Sequence, residues 1–186
     1  MLTEPAKAKA WHARCFERAC FSVLAAVVLG GCGARRPTIA DTFPVGSYAS
    51  PWVLQGEVWN GSFDQAASAL GQEAEQWGSF EPEHAWLAVY RHDTHAHHKL
   101  TARAFAFPSA AKARRAFEHF RPIDAGQLEA AEEGCWTQDG VLVLWGRLVL
   151  DIFGNDPSSF ASPEQALYLL AFIEKKMPPG LPDLPQ

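Results

Sequence analysis

No apolar run in these 186 residues reaches the ~20 that a membrane-spanning helix needs. Excess positive charge is missing too. Sixteen Lys and Arg stand against 21 Asp and Glu, a formal charge of −5. A chain that reads nucleic acid needs a basic footprint, so that class is excluded. There is no glycine-rich phosphate loop, Walker motif or dinucleotide fingerprint. Ser109-Ala110-Ala111-Lys112 has the S-x-x-K form of a penicillin-recognising nucleophile. The S-D-N and K-T-G elements that such enzymes require are absent. Ser109 is predicted instead to cap a helix.

What the first thirty-odd residues do contain is an address. An apolar stretch from Ala19 to Leu29 is broken only by Cys20 and Ser22. Its length suits the h-region of a signal peptide, about 7–15 residues. Lys7, Lys9, Arg14 and Arg18 precede it against Glu4 and Glu17, a net positive n-region. The run ends in Leu29-Gly30-Gly31-Cys32. This stretch resembles the bacterial lipobox. The resemblance implies cleavage between Gly31 and Cys32, diacylation of the Cys32 thiol and acylation of the new amine. Each buried CH₂ contributes about 0.8 kcal/mol, and stable attachment takes at least two chains. Arg35 and Arg36 follow closely and suit anionic headgroups. Gly33 stands where aspartate would signal inner-membrane retention. The sorting pattern thus implies the periplasmic face of the outer membrane in a two-membrane cell.

Cleavage changes the composition. It takes four basic and two acidic residues from the totals of 16 and 21, which leaves −7 over 155 residues. It also removes Cys15 and Cys20, while lipid occupies Cys32 and Cys135 stays alone. The compartment permits disulfides, yet no intramolecular pair is available. Stability must come from one hydrophobic core, and 155 residues suffice for one.

The chain is expected to divide into a leader over 1–31, a lipidated Cys and tether over 32–42, one domain over 43–178 and a Pro-rich tail over 179–186. Trp52 to Trp59 reads as a first strand, with Asn60-Gly61 as a turn. Phe63 to Trp77 has helical periodicity, with Ser62 as its cap and Gly78 at its end. His84 to His92 and Lys99 to Phe107 predict a hairpin. Pairing His92 with Lys99 sets Leu87 against Ala104 and Val89 against Ala102 on one face. Trp86 against Phe105 and Tyr90 against Thr101, beside Arg103, make the other. A helix to about Phe120 follows, and Pro122 stops it. Asp139-Gly140 turns a second hairpin, Leu148 to Phe153 adds a strand, and Ser162-Pro163-Glu164-Gln165 starts a last helix to about Lys176. The fold class expected is α+β, an antiparallel sheet of about five or six strands with about three helices packed on it.

The hairpin, FPSAAKARRAF (107–117), GVLVLWGRLVLDIFG (140–154) and ALYLLAFIEKKMP (166–178), in that order, resemble an uncharacterised bacterial family of exported proteins known only as a domain of unknown function. The resemblance implies an α+β domain and lends no activity. Where that family usually shows Asn-Gly-Gly-Ala-Glu, this chain has Leu70-Gly71-Gln72-Glu73-Ala74.

Two places carry candidate chemistry. His92, His95, His97 and His98 fall within seven residues beside Asp93. Imidazole is the commonest transition-metal ligand, and a loop that gathers two or three of them suits Zn²⁺, Cu²⁺ or Ni²⁺. A polar loop without a metal is the plainer alternative. Trp86, Tyr90, Arg103 and Phe105 form the second candidate, an aromatic face for a small ligand or an envelope protein. A covering helix is the alternative there. Cys135 is expected to be a small buried hydrophobe at a strand start, and Asp151 to face water between Leu150 and Ile152. No catalytic set assembles. The expected function is a membrane-anchored envelope lipoprotein, a non-enzymatic binding or accessory module. The alternative is a periplasmic metal-binding protein that uses the His92–His98 loop.

Overall fold

The computed structural model describes residues 38–129, 133–154 and 163–177, all within one unit that spans 37–186. Seven strands form one antiparallel sheet: β1 (Trp52–Leu54), β2 (Trp59–Ser62), β3 (His84–His92), β4 (Lys99–Ala106), β5 (Glu133–Trp136), β6 (Gly140–Trp145) and β7 (Leu148–Gly154). Among the described residues five helices accompany them: α1 (Ile39–Thr42), α2 (Phe63–Leu70), α3 (Glu73–Gly78), α4 (Ala110–Phe120) and α5 (Pro163–Lys176). The strand order is β1-β3-β4-β7-β6-β5, with β2 beside β1 on the same edge of β3. The fold is α+β, as expected.

Both faces of the sheet are buried. One carries Trp86, Ala88 and Tyr90 from β3, Leu100, Ala102, Ala104 and Ala106 from β4, and Leu148, Leu150 and Ile152 from β7. Helix α5 covers this face with Ala166, Leu169, Leu170 and Ile173, a spacing of three and four residues that puts all four on one stripe. The alanines leave room for the rings of Trp86 and Tyr90. The opposite face carries Ala85, Phe105, Phe107, Val149, Leu142 and Leu144, covered by α2, α3 and α4 through Phe63, Ala66, Leu70, Trp77, Ala113, Ala116 and Phe117. Truncating one such ring to alanine removes apolar burial and leaves a cavity, about 3–5 kcal/mol in all.

The strands of the hairpin are where the pattern puts them, but the register differs by one. Arg91, not His92, pairs with Lys99, so Trp86 faces Ala104, Leu87 faces Arg103, Ala88 faces Ala102 and Tyr90 faces Leu100. On the other edge of β3, His92 pairs with Trp52 of β1. A shift of one residue exchanges the two faces. The expected register matched large with large and small with small. The protein matches large rings with small neighbours, which fills the layer under α5 evenly.

Three further expectations are corrected. The first strand is two: Gly56, at φ +74°, bends the chain between β1 and β2. Asn60 and Gly61 lie inside β2, paired with Trp86 and Ala85, and do not form a turn. The first helix is also two, because Gly71 at φ +60° separates α2 from α3. Ile39 and Thr42 of α1, ahead of Phe43, are buried. The capping serine of α5, Ser162, lies outside the described residues.

Candidate functional site

On the face under α2 and α3, β4 and β7 each contribute one lone charge, and the register sets Arg103 directly opposite Asp151. Both are 8% exposed. The Arg103 guanidinium donates from Nε and Nη2 to the Asp151 Oδ2, at 3.0 and 2.9 Å. Nη2 also meets Glu73 Oε2 of α3 at 2.5 Å. Three aromatic rings surround the cation: Phe153 at 4.5 Å, Trp77 at 5.5 Å and Phe105 at 6.0 Å from Cζ. Trp77 is itself stacked between Phe105 and Phe120, at 4.2 and 3.9 Å. Burial pushes the Asp151 carboxyl up, and it outweighs the opposing pull of Arg103. A charge deep in apolar surroundings loses hydration, and only the guanidinium beside it offsets that loss.

This cluster fastens α3 to the sheet. Its outer member, the half-exposed Glu73 side chain, reaches inward to the cation. Asp151 therefore does not face water, contrary to the sequence expectation. Nor do Trp86, Tyr90, Arg103 and Phe105 make a shared surface. Trp86 and Tyr90 lie under α5, whereas Arg103 and Phe105 lie under α2 and α3, and all four are buried. Tyr90 Oη donates to the Pro44 carbonyl at 3.1 Å, and burial pushes its hydroxyl pKa up. The signal for the ion cluster was present in the sequence. Asp151 is the one charge of β7 and Arg103 the one buried charge of β4, where Lys99 is exposed at the strand start, and two such buried charges in one sheet seek each other.

The histidines form a second cluster, in the loop between β3 and β4. Backbone bonds His92 N–H to His98 O, 3.1 Å, and His98 N–H to His95 O, 2.8 Å, close the loop. His92 Nδ1 accepts the backbone N–H groups of Thr94 and His95, both at 3.3 Å. An acceptor at Nδ1 places the proton of the neutral ring on Nε2. The ring also sits edge-on to Trp52, 5.3 Å between centroids. Centroids of His92, His95 and His98 lie 4.8, 5.9 and 5.1 Å apart. The Nδ1 atoms of His92 and His95 are separated by 3.3 Å, and Thr94 Oγ1 touches both. His97 is exposed and joins none of these ring contacts. His98 Nδ1 is buried with no hydrogen-bond partner among the described residues. Among those residues, no three His, Cys, Asp or Glu side chains are arranged to hold one metal ion.

The remaining candidates have structural positions. Ser109 Oγ accepts the Lys112 N–H at 3.3 Å and so caps α4, while Lys112 Nζ pairs with Glu81. Cys135 is fully buried, as expected, but it lies inside β5 opposite Leu142 and not at a strand start, and burial pushes its thiol up. Gly31 and Cys32 lie outside the described residues. Among the described residues no helix is long and apolar enough to cross a membrane. No family profile, no curated protein and no solved structure matches the chain.

Proposed function

We propose that the protein is a lipid-anchored envelope lipoprotein, attached through Cys32 and carrying one α+β domain as a binding or accessory module. The observation that carries this reading is the order n-region, eleven-residue apolar run, Leu29-Gly30-Gly31-Cys32. Three features support a non-enzymatic role. The one S-x-x-K serine is used as a helix cap. The one thiol of the domain is buried and held protonated. The two lone strand charges neutralise each other. In the expected outcome, Cys32→Ser abolishes acylation and the protein leaves the membrane fraction. An intact 1–186 chain found in membranes by mass spectrometry would overturn the reading.

A second reading is favoured by the His92, His95 and His98 cluster: a periplasmic site for Zn²⁺, Cu²⁺ or Ni²⁺. Two imidazole nitrogens bound at about 2.0–2.1 Å to one tetrahedral ion sit about 3.3 Å apart. The His92 and His95 Nδ1 atoms have that separation. Against it, His92 Nδ1 is already engaged by two backbone N–H groups, and a third ligand requires the His98 ring to turn. Such a metal would be held by side chains of the loop alone, outside both buried faces. Calorimetric titration of each metal into the protein decides between the two. Binding at micromolar metal that disappears in a His92, His95 and His98 to Gln variant supports the metal reading. Its absence ends it.

A further inference from the structure

We propose that the face built by residues 44–50 and the outer side of α5 rests on the lipid surface to which Cys32 is anchored, an inference that builds on the anchoring reading above. Large exposed apolar residues gather here. Val45 is 48%, Tyr48 71% and Tyr168 43% exposed. They belong to one construction. Tyr168 Oη donates to the Ser50 carbonyl at 2.7 Å, and Lys176 Nζ sits 5.4 Å from the Tyr48 ring centroid. Tyr168 also packs on Phe172 at 5.1 Å. Tyr168, Phe172 and Lys176 are four residues apart in α5 and so line one stripe. The loop is held rigid from beneath by the Tyr90–Pro44 bond and by buried Phe43 and Ala49.

Chain length keeps this face within reach of a bilayer. Six peptide steps separate Cys32 from Thr38, and even fully extended they reach only about 20 Å. Val45 and Tyr48 follow Thr38 by seven and ten residues, and α1 between them packs on α5. A tyrosine has an apolar body and a wet tip, the character that concentrates aromatic rings at the membrane interface. Lys175 and Lys176 lie exposed beside them, where a long stem in the interface with its ammonium among headgroups is favoured. The acids of the same elements, Asp41, Glu164 and Glu174, leave little net charge. Adsorption is accordingly led by the rings, with lipid charge second.

Vesicle co-flotation of the unlipidated chain 32–186, carrying Cys32→Ser, tests this apart from the anchor. Its core is self-contained within 37–186. With phosphatidylglycerol–phosphatidylethanolamine vesicles at millimolar lipid, the chain is expected to float measurably. Tyr48→Ser with Tyr168→Ser should lower the bound fraction roughly tenfold, and pure phosphatidylcholine should lower it less. Unchanged tryptophan emission of the variant shows that it is folded. No flotation at millimolar lipid, or equal flotation by the variant, overturns the proposal. So does a dimer in sedimentation that the two substitutions dissolve, because the face is then a subunit contact. The anchor is judged separately, by the mass of Cys32 in the exported protein.

Discussion

Arg103 and Asp151 show how one residue pair commits a whole layer. Both partners are buried within their strands, and Arg103 is shared with Glu73, so removing Arg103 leaves the Asp151 carboxyl buried without its counterion. Arg103→Ala should therefore cost about 3–5 kcal/mol in chemical denaturation. The double substitution Arg103→Met with Asp151→Leu should recover most of that loss, because apolar residues of similar size suit a site ringed by Phe153, Trp77 and Phe105. A double variant no more stable than the single one would show that the pair does more than balance charge. His84 gives a pH dependence. It is half-buried against Trp86, 4.5 Å between ring centroids, and burial holds its pKa below the usual histidine value. The neutral ring is the one the fold accepts. Its contribution is therefore present above the unfolded value of about 6.5, and it is lost as pH falls through the lower folded value. Melting curves at pH 7.5 and 5.5 should differ more for the wild type than for His84→Gln.

At the scale of elements, much was legible and the failures share one cause. The spans of β3, β4, α4 and α5 follow from strand-forming residues, the Ser109 cap and the three-and-four spacing of Ala166, Leu169, Leu170 and Ile173. The register of β3 against β4 does not. Every residue of β4 from Leu100 onward is buried, so alternation there carries no inside–outside signal. Only the partner across the sheet decides which face is which, and that partner, Asp151, is distant in sequence. The ligand face drawn from Trp86, Tyr90, Arg103 and Phe105 failed with the register. The breaks at Gly56 and Gly71 were similarly masked, since apolar spacing continues across both. Gly140 is the tightest point in the second hairpin. A Cβ there would overlap the Ile152 carbonyl of β7, and backbone cannot swing aside as a side chain can. Gly140→Ala should force β6 and β7 apart and lower the melting temperature sharply, while Gly56→Asn, at an open left-handed position, should be nearly neutral. Equal effects would mean that the β6–β7 pairing is looser than drawn.

For the whole molecule, the two buried layers share one sheet, so neither can form without the other. The layer under α5 includes Trp52, Trp86, Tyr90 and the inward residues of β4, β6 and β7. The layer on the opposite face uses the alternate residues of the same strands. Losing α5 would uncover a broad apolar face that no other described helix can close. Among the described residues no disulfide supports the fold, for Cys135 is a free buried thiol. The His loop lies at one hairpin end, outside both layers, so a metal bound there adds only ligand linkage, about 2.7 kcal/mol at a hundredfold excess over its dissociation constant. A structural metal would instead supply folding energy outright. The chain from Thr38 onward, with Cys135→Ala, should thus unfold in one cooperative step by circular dichroism and tryptophan emission alike, and reducing agent or chelator should leave that step in place. Replacing His92, His95, His97 and His98 together by Gln should leave it too. A chain that stops before Pro163 should show no such transition and should aggregate. If that truncated chain still melts cooperatively, the sheet closes without α5, and the shared-layer account of stability is wrong. If the four-histidine variant fails to fold, the loop is part of the core, and metal binding becomes the leading function.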